Sequence, residues 1–240
     1  MQLRSKELKR IARINLTGNY TTPMGAFVLA TLIAFMIELP FSYLLNTEYA
    51  TTTQKVTYYA AEFLIGIISG LLDIGLIYLH LNIARHKKSD KSDIFYCFKN
   101  QTERFIIGYL IIYIIELICM GPYFIGRYFI LDIKNLSTVF TAIVLALISL
   151  ALSLCAKIIL CFVFYTMLDH PQMSLSQCFS YSVKLIKGNY FKTFCLYLSF
   201  AGMLILGILS FGIGLLWIQP YFYQTFANYY LSLKKVDYSV

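Results

Sequence analysis

Ser174-Leu-Ser-Gln177-Cys178-Phe179, Lys187-Gly188-Asn189-Tyr190 and Ser210-Phe-Gly212-Ile-Gly214 punctuate residues 174–233. The first is a short amphipathic segment, the second a turn, and the third parts two apolar runs. The stretch reads as one interfacial helix feeding one transmembrane hairpin. Ser174 with Gln177 three residues on makes a capping box, in which each side chain accepts from the other residue's free backbone N–H. The runs at about 193–211 and 213–231 are near the minimum, since about 20 residues cross the hydrocarbon core at ~1.5 Å each. Read as one bent element they leave five spans in the chain. The Gly212-x-Gly214 turn favours two, and six in all.

Working outward, the same plan recurs. Residues 2–16 form a basic amphipathic helix with Leu8, Ile11, Ala12 and Leu16 on one stripe and Arg4, Lys6, Lys9, Arg10 and Arg13 around the rest. Such a helix lies in the headgroup layer of an anionic leaflet. Span one is expected at 24–45, with Glu38 and Pro40, then a polar loop at 46–59. Span two follows at 60–84 with Asp73 near its middle, closed by Arg85-His-Lys87-Lys88. A second amphipathic helix at 93–100 leads to span three, 105–130, with Glu116 and Gly121-Pro122. A loop near 132–137 leads to span four, 138–168, with Lys157 inside. Span six carries Gln219-Pro220.

Composition supports lipid as the solvent. Of 240 residues, 59% are hydrophobic and 13% charged, with a mean hydropathy of +0.68, where soluble domains carry about 25% charged residues. The net charge of +8 falls between apolar runs rather than on one face, which argues for anionic lipid and against nucleic acid. With six spans and the N-terminus inside, sixteen basic residues lie on the inner side and three, Lys55, Arg127 and Lys134, on the outer side. This positive-inside bias predicts that both ends are cytoplasmic. No apolar core occupies the first 20 residues, so no cleaved signal peptide is expected. The six cysteines lack C-x-x-C or zinc spacing and read as small apolar residues.

The chain also carries signs of triplication. Gly18-Asn19-Tyr20 and Gly188-Asn189-Tyr190 each end an interfacial helix. Ile94, Cys97 and Phe98 match the spacing of Leu175, Cys178 and Phe179, and Asp73 and Lys157 are each followed 13 residues later by histidine. One membrane domain, 1–240, then divides into units 1–88, 89–172 and 173–240, all in one orientation. Chance similarity among apolar helices is the plainer alternative.

Charges inside spans are the sharpest chemical feature, because each costs at least ~2.5–3.5 kcal/mol at the bilayer centre. Asp73, Lys157 and Gln219 are expected at equal depth, converging near an axis where Asp73 and Lys157 can pair. Glu116 and Glu38 are further acidic candidates. These five define a polar path or midplane site for a solute, proton or peptide, or else a pair that only fixes packing. Pro40, Gly121-Pro122 and Pro220 are candidate helix breaks. The interfacial basic residues Lys6, Lys9, Arg10, Arg13, Arg85, Lys87 and Lys88 read as topology anchors, or as contacts to anionic lipid or a partner. No nucleophile–base constellation, metal pattern or phosphate loop is present, and Asp169-His170 reads as a helix stop.

Ser176-Gln-Cys178-Phe179-x-x-Ser182, Leu185-Ile-Lys187-Gly188-Asn189 and Gly212-Ile-Gly214-Leu-Leu-Trp217-Ile-Gln-Pro220-Tyr221 resemble an uncharacterised family of bacterial integral membrane proteins. It is catalogued as domain of unknown function nine hundred seventy-five and is found mainly in Firmicutes. The helix ending at Gly18-Asn19 is similar to it too. The resemblance implies a bacterial plasma-membrane protein and transfers no catalytic residue. The expectation is an all-α, non-enzymatic, six-span protein without cofactor. It is expected to bind a lipid or a membrane or ATPase partner, as an accessory in export, membrane homeostasis or defence against membrane-active peptides. The alternative is a transporter or permease subunit.

Overall fold

The computed structural model describes residues 4–42, 51–131 and 136–237. Among these there is no strand. The helices are α1 (Ser5–Leu16), α2 (Thr21–Ser42), α3 (Thr52–Ala84), α4 (Tyr96–Lys99, entered through a 3-10 turn at Lys91–Phe95), α5 (Thr102–Leu131), α6 (Leu136–Leu160), α7 (Val163–Asp169), α8 (Leu175–Ile186), α9 (Tyr190–Leu209) and α10 (Leu215–Asp237). The expected end of span one at 43–45 and the parts of the expected loops at 46–50 and 132–135 lie outside the described residues.

Local chemistry sets most boundaries. The Ser174 hydroxyl accepts from the Gln177 N–H at 3.4 Å and Gln177 Oε1 accepts from the Ser174 N–H at 2.9 Å, so α8 starts at the expected capping box. A second box, Thr51 with Gln54, starts α3 eight residues before the expected span two, so the polar stretch ending at Tyr59 is helical rather than a loop. Span four is interrupted at 161–162, which divides α6 from α7. Pro40, Pro122 and Pro220 do not break their helices; each lies inside α2, α5 or α10. Between α9 and α10 the backbone turns through Phe211 and Gly212, both at positive φ, and Ser210 Oγ accepts from the Gly214 N–H at 2.8 Å.

Five segments are long and apolar enough to cross a membrane: Thr21–Phe41, Thr52–Ala84, Thr102–Arg127, Ser137–Asp169 and Tyr190–Leu209. Their large side chains face outward, with Phe35, Leu64, Ile118, Leu147 and Leu206 more than half exposed. That is the inverse of a water-soluble core and the pattern lipid requires. The sixth long helix, α10, differs. It holds buried Gln224, Thr225 and Asn228 beside Tyr221, Tyr229 and Tyr230, and packs on α1, α2, α3, α8 and α9.

The short helices α4 and α8 lie by the ends of α3 and α7, here termed the capped end, while α1 lies along α9 and α10, with Lys9 at the Ser199 carbonyl and Arg13 over Tyr221. The apolar stripes of these short helices were expected in the headgroup layer; they are buried in protein instead. Leu8, Ala12 and Leu16 of α1 are fully buried, and α1 lies against α10. The turn before α4 presses Ile94 onto α3, so closely that a Cβ on Gly75 would sit 2.0 Å from the Ile94 carbonyl oxygen. Cys178 and Ile186 anchor α8, which packs on α6 and α7. Each short helix thus covers a hairpin other than the one it leads into. The reason is energetic: a stripe of two leucines and an alanine gains ~1.5–3 kcal/mol per leucine by leaving water, and a fitted protein groove adds close packing. The short helices α1, α4 and α8 each end two residues before a left-handed residue: Gly18, Gln101 and Gly188, at φ 82, 49 and 80°, follow the C-caps Thr17, Asn100 and Lys187.

Candidate functional site

α3, one of the segments long and apolar enough to cross a membrane, carries Asp73. Twelve residues separate Asp73 from Arg85, about 18 Å along a helix, which sets Asp73 well inside an apolar layer ~30 Å thick. Asp73 Oδ1 accepts from the Tyr223 hydroxyl of α10 at 3.3 Å. The Tyr223 ring stacks on His80, centroids 5.6 Å apart, and His80 Nδ1 donates to Gln224 Oε1 at 2.9 Å. A carbonyl oxygen only accepts, so that nitrogen carries the proton. Gln224 Nε2 is buried without a hydrogen-bond partner. Asp73 also lines a groove of about 180 Å³ between α2 and α3, walled by Phe27, Ala30, Ala34, Ser69 and Leu72.

The other expected members are elsewhere. Lys157 does not meet Asp73; its ammonium lies 3.5 Å from Glu116 Oε1, and both side chains are substantially exposed at 59% and 37%. Glu38 is exposed on α2, and Gln219 is half-buried beside the buried Pro220. The five therefore do not converge on one point. Equal depth along helices does not make contact, and α6 packs chiefly on α5 over this length.

Where α3, α7 and α10 do converge, at the capped end, the structure builds a site that the sequence reading treated as a helix stop. The Asp169 carboxylate accepts from the Arg85 guanidinium on one oxygen, and from the Lys234 ammonium and the Tyr230 hydroxyl (3.0 Å) on the other. Lys234 also contacts His170 Nε2 at 3.2 Å. Burial, then the Lys234 charge, holds the His170 imidazole below its ordinary range despite the neighbouring Asp169. Beneath lie Phe162, Tyr165, Tyr229 and Tyr230, edge-to-face or tilted at 5.4–5.7 Å. One clue was legible: Arg85 and Asp169 are 84 residues apart, the same interval as His86 and His170, and opposite in charge.

The basic interfacial residues divide into two groups. Lys6, Arg10, Lys87 and Lys88 are exposed. Lys9 donates to the Ser199 carbonyl and lies 4.3 Å from the Phe200 ring centre, while Arg13 lies over Tyr221 and Arg85 is taken by Asp169. Burial pushes the Cys97 thiol up to about 12, so it is inert packing.

A helical protein, with several helices long and apolar enough to cross a membrane, a carboxylate within one of them and an ion-paired cluster at one end, is the class these features define. The chain belongs to the family described as "Protein of unknown function (DUF975)", which matches residues 1–237. No curated protein and no solved structure matches it.

Proposed function

We propose that this is a non-enzymatic bacterial plasma-membrane protein with six spans in three hairpins, both ends and the capped end cytoplasmic, that holds a lipid-soluble ligand between α2 and α3. It serves as an accessory in membrane homeostasis, export or defence against membrane-active peptides. The single observation that carries this reading is the groove beside Asp73, where Ala30, Ala34 and Ser69 leave space next to a carboxylate inside the apolar layer. A span optimised only for packing fills such space, because cavities cost stability in proportion to their volume. The three-unit organisation is part of the proposal and is supported by the left-handed residue that follows α1, α4 and α8 alike.

A transporter subunit is the second reading. The observation favouring it is the Asp169 cluster, which ties the ends of α3, α7 and α10 together and so closes the capped end below the polar residues. The test is purification from the native membrane in mild detergent with mass spectrometry of what accompanies the protein. A defined lipophilic species, lost when Ala34→Leu fills the groove, supports the ligand-binding role. A stoichiometric ATPase or permease, with no such species, supports the transporter subunit instead.

A further inference from the structure

We infer that the groove takes a cationic amphiphile, a molecule with a protonated amine on an apolar tail, and that Asp73 is its counter-ion. This rests on the ligand-binding reading above and names the ligand's chemistry.

The carboxylate is unpaired by charge. Among the described residues the ion pairs are made by Asp169 and Glu116, and none by Asp73. Its surroundings are the Tyr223 hydroxyl, Tyr109, whose ring lies against α3 at Gly70, and His80, which is committed to Gln224. The hydroxyl takes Oδ1 only, so Oδ2 has no partner among the described residues. A carboxylate in an apolar layer is stable only with a proton or a cation beside it.

The shape points the same way. Asp73 and Thr31 are the exposed members of the lining, so the groove opens on the surface of the bundle rather than into its interior. Thr31 spends its hydroxyl on the Phe27 carbonyl at 2.9 Å and offers no donor. Of the remaining walls, Ser69 adds one hydroxyl, and Phe27, Ala30, Ala34, Leu72 and Leu76 are apolar. A site with one anionic side chain, a single small hydroxyl at Ser69 and an otherwise apolar wall open sideways selects a ligand with one cationic head and an apolar tail. It rejects anionic amphiphiles by charge and gains nothing extra from neutral ones.

The full-length protein in phosphatidylcholine nanodiscs is titrated with dodecylamine, dodecanol and dodecanoate, and the thermal midpoint is followed. Dodecylamine is expected to raise the midpoint saturably in the wild type. In Asp73→Asn its half-saturating concentration is expected to rise about tenfold or more, the factor that follows from losing one charge-assisted contact. Ala34→Leu, which keeps the acid and fills the groove, is expected to abolish the response. Asp73→Glu stands in if Asp73→Asn does not give a monodisperse protein, and is expected to weaken the amine selectively. Equal responses to amine and alcohol in wild type and Asp73→Asn, both lost in Ala34→Leu, overturn the cationic ligand and leave a neutral lipophile in the groove. Responses unchanged by Ala34→Leu overturn the groove itself and the ligand-binding reading with it.

Discussion

The carboxylate of Asp169, at the end of α7, binds the guanidinium of Arg85, just past the end of α3. The same carboxylate takes Lys234 and Tyr230 of α10, so one acidic side chain fastens three helix ends. Asp169 is 9% exposed and its partners 28% and 19%. The cluster is therefore poorly screened.

Asp169→Asn leaves two cations facing each other. The expected loss is about 3 kcal/mol, the lower end for breaking a buried pair, because the partners reach solvent. The double variant with Lys234→Met should recover part of it. Thermal unfolding in detergent reads the cycle, and strictly additive losses would show that the two residues do not interact.

Lys157 and Glu116 should couple, and Lys157 and Asp73 should not. Paired polar groups between membrane helices are worth about 0.6 kcal/mol on average and ~1.7 at most. A double-mutant cycle with Lys157→Met and Glu116→Gln is expected in that range, whereas Lys157→Met with Asp73→Asn is expected to be additive. A coupled Lys157–Asp73 cycle would contradict the arrangement described.

Gly75→Ala should be among the most damaging small substitutions. Its Cβ would fall 2.0 Å from the Ile94 carbonyl oxygen, and main chain cannot rotate aside as a side chain can. Overpacking costs about 1–3 kcal/mol, and the upper end is expected here. Gly121→Ala, with nothing within 4 Å of the added atom, is the matched control. Size-exclusion chromatography after graded heating separates them; equal survival would refute the close approach.

Stability should fall on acidification through the ordinary histidine range. His170 in the folded protein resists protonation, held down first by burial and then by Lys234. The unfolded chain takes up that proton below about pH 6.5, so below that value unfolding binds an extra proton and is favoured. His170→Gln should flatten this part of the profile between about pH 7 and 5.5. A wild-type and a variant curve of equal slope there would remove His170 as the cause.

Much of the molecule is legible in the chain because period and hydropathy are local properties. The amphipathic helices, the capping box at Ser174 and Gln177, the turn at Gly212 and the apolar spans all follow from neighbouring residues and the solvent they require. Asp73 stands out for the same reason: a carboxylate in an apolar run is costly wherever its partners lie. Local reading also has a characteristic error, seen at Pro40, Pro122 and Pro220, where packing carries the helix through a residue that disfavours it.

What needed the tertiary structure is which partners meet. Equal depth, as the sequence leads one to expect for Asp73 and Lys157, is not contact: two helices must approach there, and α6 packs chiefly on α5 while α3 packs on α2, α7 and α10. The 84-residue interval that misleads at Asp73 and Lys157 is honoured at Arg85 and Asp169, where the helix ends come together. Likewise, the stripe on α1 specifies an apolar surface but not whether lipid or α10 covers it. Hydrophobic burial is non-directional, and only the fitted groove of a folded bundle distinguishes the two.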